Sequence, residues 1–308
     1  MGKVLVVGLI GQSVFMSTDH FPLPGETITS AKLFFEPGGK GMNQAVACKK
    51  FGADTVFISA IGRDANGQAC KEEAQRFGIT AHWIEKDEPT AFGVITTDRN
   101  GENTVNVYGG AAHALTASDV RHSQIYSYMQ NSDYVLMQNE FPAEALIELA
   151  KMAEELSKPV IWNPAPAKEI PWELLSKAAL VTPNCGEAKV LAGFAQEEKP
   201  SDEEFETAFR NKGIKTAVIT MGSEGSLLID EKGHRRIPAY IVGEAIDTTG
   251  AGDCFNGTLT ACLADGKSLE EAVRWAAVAS GISVTRRGAT ACVPSYEETE
   301  AIYNSKRA

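Results

Sequence analysis

The feature that most constrains this 308-residue chain is a repeated alternation of strand-like and helix-like segments. Short apolar runs, of which KVLVVGLIG (3–11) is the first, suit buried parallel strands. Segments with small apolar residues that stop near a glycine, such as GMNQAVACKKFGA (41–53), suit helices. Strand, helix and strand in succession predict an α/β fold, with a doubly wound, mostly parallel sheet flanked by helices.

Two segments, 13–37 and 90–110, interrupt this order and lack helical periodicity. The second contains a turn signal, DRNGEN, between β-rich runs. Both predict antiparallel hairpins, which form either a small β lid over the carboxyl edge of the sheet or ordinary surface elaboration. The expected core comprises residues 1–11, 37–89 and 110–308, and the expected lid comprises residues 12–36 and 90–109.

Charge and cysteine content narrow the classes of function. The net charge of −11, without long basic runs, argues against nucleic-acid binding. The first apolar run is too short to span a bilayer and lacks a signal-peptide cleavage pattern, so we expect no membrane attachment. The six cysteines form no CxxC pair, which predicts free thiols in a reducing cytoplasm and no cysteine metal site.

Neither of the two common nucleotide-binding glycine motifs is present. VVGLIGQS lacks the G-x-G-x-x-G spacing of a dinucleotide-binding motif. Around Lys40, Phe34 stands where a P-loop needs its first glycine, and Gly41 stands where it needs Ser or Thr. The glycines around Lys40 still allow close backbone approach to a ligand, and Asn43 could bind a polyol. The alternative is a glycine-rich turn with a solvated lysine.

A second glycine-rich stretch, DTTGAGDCFNG, places three small residues directly before Asp253. They are Gly250, Ala251 and Gly252, and an apolar helix-like run follows. The N–H groups at such a helix start can form an anion hole, and Asp253 could then act as the base in phosphoryl transfer. The alternative is that Asp253 is a helix N-cap, and this stretch alone does not decide between the two.

Eight segments in order resemble the PfkB, or ribokinase, family of carbohydrate kinases over nearly the whole chain. They are FPLPGETI (21–28), GGKGMNQAVA (38–47), IGRDANG (61–67), WNPAPAKEIP (162–171), VTPNCGEAKVLAG (181–193), TMGSEG (220–225), DTTGAGDCFNG (247–257) and VTRRGATACVP (284–294). The resemblance implies a ribokinase-like fold and transfer of the γ-phosphoryl group of MgATP to a hydroxymethyl group of ribose or a related pentose or hexose.

The resemblance also implies roles for individual residues. The base is Asp253, and the anion hole is formed by Gly250, Ala251 and Gly252. The sugar-binding positions are Gly39, Lys40, Asn43, Glu140 and Asp253, together with Gly11 and Ser13. The nucleotide and Mg²⁺ positions are Asn184, Glu187, Thr220, Met221, Gly222, Ser223, Glu224, Gly225, Gly252 and Ala277. The positions for an activating K⁺ are Asp247, Thr249, Ser283, Arg286, Gly288 and Cys292.

Structural explanations remain open for several of these residues. Asn184 could be a turn residue after Pro183, and Glu187 a solvated helix residue. Thr249 and Ser283 could be packing residues. Cys292 is a poor replacement for the oxygen ligand that the family usually has at its position.

Gly11 and Ser13 depart from the family's pattern, in which an asparagine and an aspartate occupy these positions and the aspartate holds the sugar's vicinal hydroxyls. Loss of that charge-assisted anchor predicts loosened or redirected sugar selectivity. Three explanations remain open: a different sugar as substrate, contacts supplied instead by Gln12 or a lid residue, and a weak kinase.

Two other functions remain open. One is a nucleoside kinase of the same superfamily, and the other is a non-catalytic sugar-binding regulator. The apolar runs VFMST and AFGVITT also predict a homodimer that forms through the lid.

Overall fold

The computed structural model describes residues 1–167 and 171–305, so Lys168, Glu169 and Ile170 of the WNPAPAKEIP segment lie outside the described residues. The strands are β1 Lys3–Val7, β2 Gly11–Ser17, β3 Lys32–Gly38, β4 Asp54–Gly62, β5 Thr80–Lys86, β6 Phe92–Thr97, β7 Asn103–Tyr108, β8 Tyr134–Gln138, β9 Val160–Asn163, β10 Leu180–Val181, β11 Ala217–Thr220, β12 Ser226–Asp230 and β13 Gly233–Ile237. The helices are α1 Lys40–Lys50, α2 Ala65–Arg76, α3 Gly110–His113, α4 Ala117–Val120, α5 Ser123–Gln130, α6 Ala143–Glu155, α7 Trp172–Leu175, α8 Cys185–Ala192, α9 Asp202–Asn211, α10 Ala251–Ala264, α11 Leu269–Ser283 and α12 Tyr296–Ser305.

The larger sheet has nine strands in the order β13-β12-β11-β10-β9-β8-β1-β4-β5. All neighbours from β11 to β5 are parallel, whereas β12 and β13 extend one edge as antiparallel strands. The predicted doubly wound, mostly parallel sheet is therefore confirmed.

Strand β1 shows why its sequence is almost continuously apolar. Val4 and Val6 pack into the core on the side of α1, α2, α10, α11 and α12, while Leu5 and Val7 pack into the core on the opposite side. Because alternate side chains of a strand point to opposite faces, a strand covered by helices on both sides must be apolar at every position.

The smaller sheet, called the lid sheet below, has the order β3-β2-β6-β7. Each predicted hairpin is antiparallel, β2 with β3 and β6 with β7. The hairpins join through parallel pairing of β2 with β6, which the sequence did not indicate. Strand β2 begins at Gly11 and β3 ends at Gly38, one or two residues beyond the expected lid limits.

The cysteine side chains are free thiols, and five of the six are buried. Burial raises the pKa of Cys70, Cys254 and Cys262 to about 12, so these thiols stay protonated and unreactive at neutral pH. Across residues 1–167 and 171–305, no helix has the length and apolar character needed to cross a bilayer.

Candidate active site

Close packing of α1 against α10 builds the centre of the site. A Cβ atom on Gly257 would lie 2.4 Å from the carbonyl oxygen of Gln44 and 2.5 Å from the Cβ of Ala47. Glycine at this position therefore lets the two helices touch. The contact brings side chains from the first turn of α1 within hydrogen-bonding distance of the first turn of α10.

Asp253 is buried at this contact, with 7% of its surface exposed. Its Oδ2 accepts a hydrogen bond from Nδ2 of Asn43 at 2.9 Å, and its Oδ1 accepts one from Nε2 of Gln44 at 2.9 Å. The N-cap of α10 is Gly250, which has no side chain to accept a hydrogen bond. The alternative interpretation of Asp253 as an N-cap is therefore wrong.

The turn before Asp253 has an open side and a closed side. Gly250 adopts a φ of 73°, and a Cβ there would lie 3.0 Å from the backbone of Ala289. A Cβ on Gly252 would meet nothing within 4 Å. The N–H of Ala251 donates to the carbonyl of Thr248 at 3.2 Å, so it is already engaged within the turn. Anion binding here would depend chiefly on the other first-turn amides.

Lys40 supplies positive charge opposite Asp253. The Asp253 carboxylate raises the pKa of Lys40, an effect that burial opposes and Glu140 and Glu187 reinforce. The backbone N–H of Lys40 donates to Oε2 of Glu140 at 3.0 Å. Lys40 is therefore an ammonium at neutral pH and is held among three carboxylates.

The glycine loop before α1 is shaped by the end of β1. Gly39 has a φ of 129°, and its Cβ would lie 2.6 Å from the carbonyl oxygen of Leu9. A Cβ on Gly41 would lie 2.5 Å from the carbonyl carbon of Gly8. The oxygen Oδ1 of Asn43 is buried and accepts no hydrogen bond from the described residues, so a ligand hydroxyl could donate to it.

Gly11 and Ser13 lie at the start of β2, the first strand of the lid sheet. A Cβ on Gly11 would lie 2.5 Å from the carbonyl oxygen of Ala91, so this backbone leaves no room for a side chain there. Ser13 pairs directly with Glu36 of β3. The carboxylate of Glu36 accepts a hydrogen bond from Oγ1 of Thr290 at 3.2 Å, and burial raises its pKa.

Gln12 is one of the residues predicted to replace the sugar contacts that Gly11 and Ser13 lack. Its side chain is buried, and its Nε2 donates to the carbonyl oxygen of Ser13 at 3.2 Å. This amide group is therefore engaged with the backbone of its own strand.

Asn184 and Glu187 form a capping box at the start of α8. The N–H of Glu187 donates to Oδ1 of Asn184 at 2.8 Å, and the N–H of Asn184 donates to Oε2 of Glu187 at 2.8 Å. Burial raises the pKa of Glu187. Local structure thus gives both residues a capping role. The N–H of Thr220 donates to the carbonyl of Pro183 at 3.0 Å, which places α8 beside the segment 220–225.

The segment 220–225 connects two antiparallel strands through a 3-10 turn, Gly222–Glu224. Gly225 has a φ of 89°, and a Cβ there would lie 2.1 Å from the carbonyl oxygen of Ile237. The space beside Gly222 is open. Ala277 lies on α11, which is tied to the Asp253 turn because Oγ of Ser280 donates to the carbonyl of Ala251 at 3.2 Å.

Four of the six positions expected to hold K⁺ are in mutual contact: Asp247, Thr249, Gly288 and Cys292. Oδ1 of Asp247 accepts from the N–H of Thr249 at 2.9 Å, and Oδ2 accepts from the N–H of Gly288 at 3.3 Å. The sulfur of Cys292 lies 3.4 Å from the carbonyl oxygen of Ala289. Elsewhere in the set, Oγ of Ser283 donates to Ser280 and Arg286 pairs with Glu298. Among the described residues, no three His, Cys, Asp or Glu side chains cluster as metal ligands.

Three residues of the site had no predicted role. Gln44, Gln138 and Asn163 form a buried amide network with Asp253. Gln138 and Asn163 end the apolar strands β8 and β9, and Gln44 is a buried residue of α1. Polar side chains at the carboxyl ends of parallel strands are typical of ligand sites, and this signal could have found Gln138 and Asn163 but not Gln44.

Comparisons with known proteins extend over nearly the whole chain. A family model described as pfkB family carbohydrate kinase matches residues 1–296. A ribokinase of Haemophilus influenzae is 37% identical over 302 residues, which cover 97% of this chain and 98% of that protein. A solved ribokinase from Thermotoga maritima has a TM-score of 0.90 at 33% identity, covering 99% of this chain and 100% of that one. The Arabidopsis thaliana ribokinase complexed with ribose and ATP has a TM-score of 0.88 at 27% identity, covering 98% and 99%.

Proposed function

Because the chain belongs to the PfkB family of carbohydrate kinases, we propose that it phosphorylates a hydroxymethyl group of ribose or a related pentose or hexose, with MgATP as phosphoryl donor. Family members are phosphotransferases with a hydroxyl acceptor, and this much holds for the chain. The relatives described above support ribose as the first substrate to test.

The main observation that supports the proposal is the environment of the Asp253 carboxylate. Its buried carboxylate lies at the N-terminus of α10, beside the open space at Gly252 and within the electrostatic reach of Lys40. A base, an ammonium and helix amides at one point are the groups that phosphoryl transfer requires.

In the proposed mechanism, a sugar hydroxyl donates to Asp253, which accepts its proton as the oxygen attacks the γ-phosphorus. The bond from the γ-phosphorus to the oxygen bridging it to the β-phosphate breaks, and ADP leaves. The first-turn amides of α10 and the Lys40 ammonium offset the charge that develops on the phosphoryl oxygens. Asn43 and Glu140 orient the sugar beneath the lid sheet, which excludes water when it closes.

The nucleotide would lie along 220–225 and Ala277, with its phosphates toward Gly252. Mg²⁺ usually binds through one or two carboxylates plus substrate phosphates, so the single carboxylate of Glu187 fits such a role. When bound, Mg²⁺ would neutralise charge on the phosphates. Asn184 would hold Glu187 in place through the capping box.

We also propose K⁺ at the positions around Asp247. This carboxylate and the backbone carbonyls of the neighbouring turns are hard oxygen donors, which suit an alkali cation. The soft thiol of Cys292 fits poorly, so in our proposal the oxygens alone hold the ion. We place the enzyme in the cytoplasm, in accord with its free thiols.

An ADP-release assay over pentoses, hexoses, 2-keto-3-deoxy acids and nucleosides tests this function. We expect turnover of a free sugar. Because Gly11 and Ser13 offer no carboxylate, we expect 2-deoxyribose to be used within about tenfold of ribose. Repeating the assay in KCl and in NaCl tests the proposed K⁺ site, and we expect faster turnover in KCl.

The other outcomes separate the two alternative functions. Turnover of nucleosides alone would identify a nucleoside kinase. Sugar binding without turnover of any compound in the panel would favour the regulator.

A homodimer through the lid sheet is a further part of the proposal. Leu33 and Phe35 alternate along β3, so they share one face, and they are 59% and 61% exposed. We expect a dimer at micromolar concentration and a monomer for the double variant Leu33→Asp/Phe35→Asp, because exposed apolar patches mark interaction sites. Size exclusion with light scattering measures this. Val190→Asp, at an exposed position on α8, is the matched control, and a monomeric wild type would contradict the proposal.

A further inference from the structure

Gln44 is a fully buried residue whose side-chain amide contacts the Asp253 carboxylate inside the protein. Its Nε2 donates to Oδ1 of Asp253 at 2.9 Å and to Oδ1 of Asn163 at 3.0 Å. Its Oε1 accepts from Nε2 of Gln138 at 2.6 Å. Both of its amide hydrogens and its oxygen are therefore used inside the protein.

The direction of this network is fixed by a backbone group. Nδ2 of Asn163 donates to the carbonyl oxygen of Thr182 at 2.7 Å. Since a carbonyl can only accept, Asn163 must turn its own oxygen toward Gln44. Gln44 must then present its NH₂ group to Asn163 and Asp253. A flipped Gln44 would set oxygen against oxygen at both contacts.

We propose that Gln44 is a positioning residue for the base, and that its hydrogen bond holds the Asp253 carboxylate in its orientation toward the phosphoryl site. This inference rests on the proposed role of Asp253. Hydrogen bonds donated to a carboxylate stabilise its charged form, and the effect is strong in a buried site.

The other charged groups that face Asp253 come from different elements. Lys40 of α1 attracts the carboxylate, while Glu187 of α8 and the Glu140 carboxylate, which binds the Lys40 backbone, add negative charge nearby. The amides of Asn43 and Gln44 are the neutral donors that contact both carboxylate oxygens. Asn43 also borders the sugar site, whereas Gln44 is engaged only with protein groups.

The variant Gln44→Glu keeps the shape of the side chain and replaces the donor with an acceptor. Two carboxylates at this distance cannot both remain charged, so the pair must share a proton. We expect the acid limb of the kcat/KM profile to move upward by at least about one pH unit. The exposed variant Gln124→Glu on α5 is the control and should leave the profile in place.

Thermal unfolding gives a second readout that needs no turnover. The added buried carboxyl group has a higher pKa in the folded than in the unfolded chain, so the folded state binds more protons. Stability of Gln44→Glu should therefore fall relative to the wild type as pH rises above about 4.5. This pH dependence shows that the new carboxyl group is buried beside Asp253, and the acid limb of kcat/KM is the readout that a merely structural role would leave in place.

Should Gln44→Glu fail to fold, Gln138→Glu tests the direction of the same hydrogen bonds. Gln138 contacts the oxygen of the Gln44 amide, whereas Asp253 contacts its nitrogen. Its new acceptor competes with Asp253 for the Gln44 NH₂ group. We expect kcat to fall about tenfold, the effect of one lost hydrogen bond, with sugar KM unchanged. Wild-type kcat in this variant would overturn the inference.

The outcomes separate this inference from the proposed function. If Asp253→Asn retains turnover, the base assignment fails. If Asp253→Asn is inactive but a folded Gln44→Glu shows an unmoved acid limb, only the role of Gln44 fails.

Discussion

Replacing Asp253 by asparagine or alanine is expected to lower kcat by at least about 10²-fold, the lower end of general-base contributions. Asparagine keeps the size of the side chain but cannot take the proton of the sugar hydroxyl. It also sets an NH₂ group against one of the donors from Asn43 and Gln44, so we expect a lower melting temperature in a protein that still folds. Steady-state kinetics with the best substrate measures the effect.

Asp265→Asn provides the matched control, because this exposed aspartate ends the same helix, α10, at its other terminus. Its turnover should equal that of the wild type. Near wild-type kcat in either Asp253 variant would show that another group takes the proton.

Two glycines of α10 should respond to alanine in opposite ways. Gly252→Ala adds a methyl group to open space, so stability should stay the same or rise by up to about 1 kcal/mol from helix propensity. The same methyl group projects beside the proposed phosphoryl site, and a displacement of about 1 Å there can cost about 10²-fold in rate. We therefore expect a stable protein with strongly reduced turnover.

Gly257→Ala should instead destabilise the fold, since its Cβ would collide with the backbone of α1. Overpacking of this kind typically costs about 1–3 kcal/mol, and separation of α1 from α10 should also lower turnover. Urea denaturation and steady-state kinetics on the two variants distinguish the cases. Equal losses of stability, or full turnover in Gly252→Ala, would contradict the proposed use of the open space.

The arrangement of helices on both faces of the sheet was predictable, because it follows from short stretches of sequence. The apolar run around Leu5 has to be covered on both faces, and helix-like segments on either side of it supply the cover. The extra antiparallel edge formed by β12 and β13 was not predicted, since nothing in a short strand tells in which direction its partner runs.

The sequence indicated candidate residues for the site, but not the contacts that the structure shows between them. The run before Asp253 indicated either a cap or a base, and the structure excludes the cap because Gly250 is the N-cap of α10. The contact of Asp253 with Gln44, 209 positions away in the chain, was not predicted. Likewise, the sequence indicated that position 11 lacks a side chain, but not why. The backbone of Ala91 occupies the space that a side chain at Gly11 would need. Such contacts follow from how helices and strands pack, which local patterns do not encode.

The parallel pairing at the centre of the lid sheet has a consequence for the order of folding. Gln12 of β2 pairs with Phe92 of β6, and β4, α2 and β5 all lie between them in the chain. Closing so long a loop has a high entropic cost unless the intervening segment is already compact. We therefore expect the two hairpins to join after that part of the core has formed, so that a completed lid sheet marks a chain whose core is already in place.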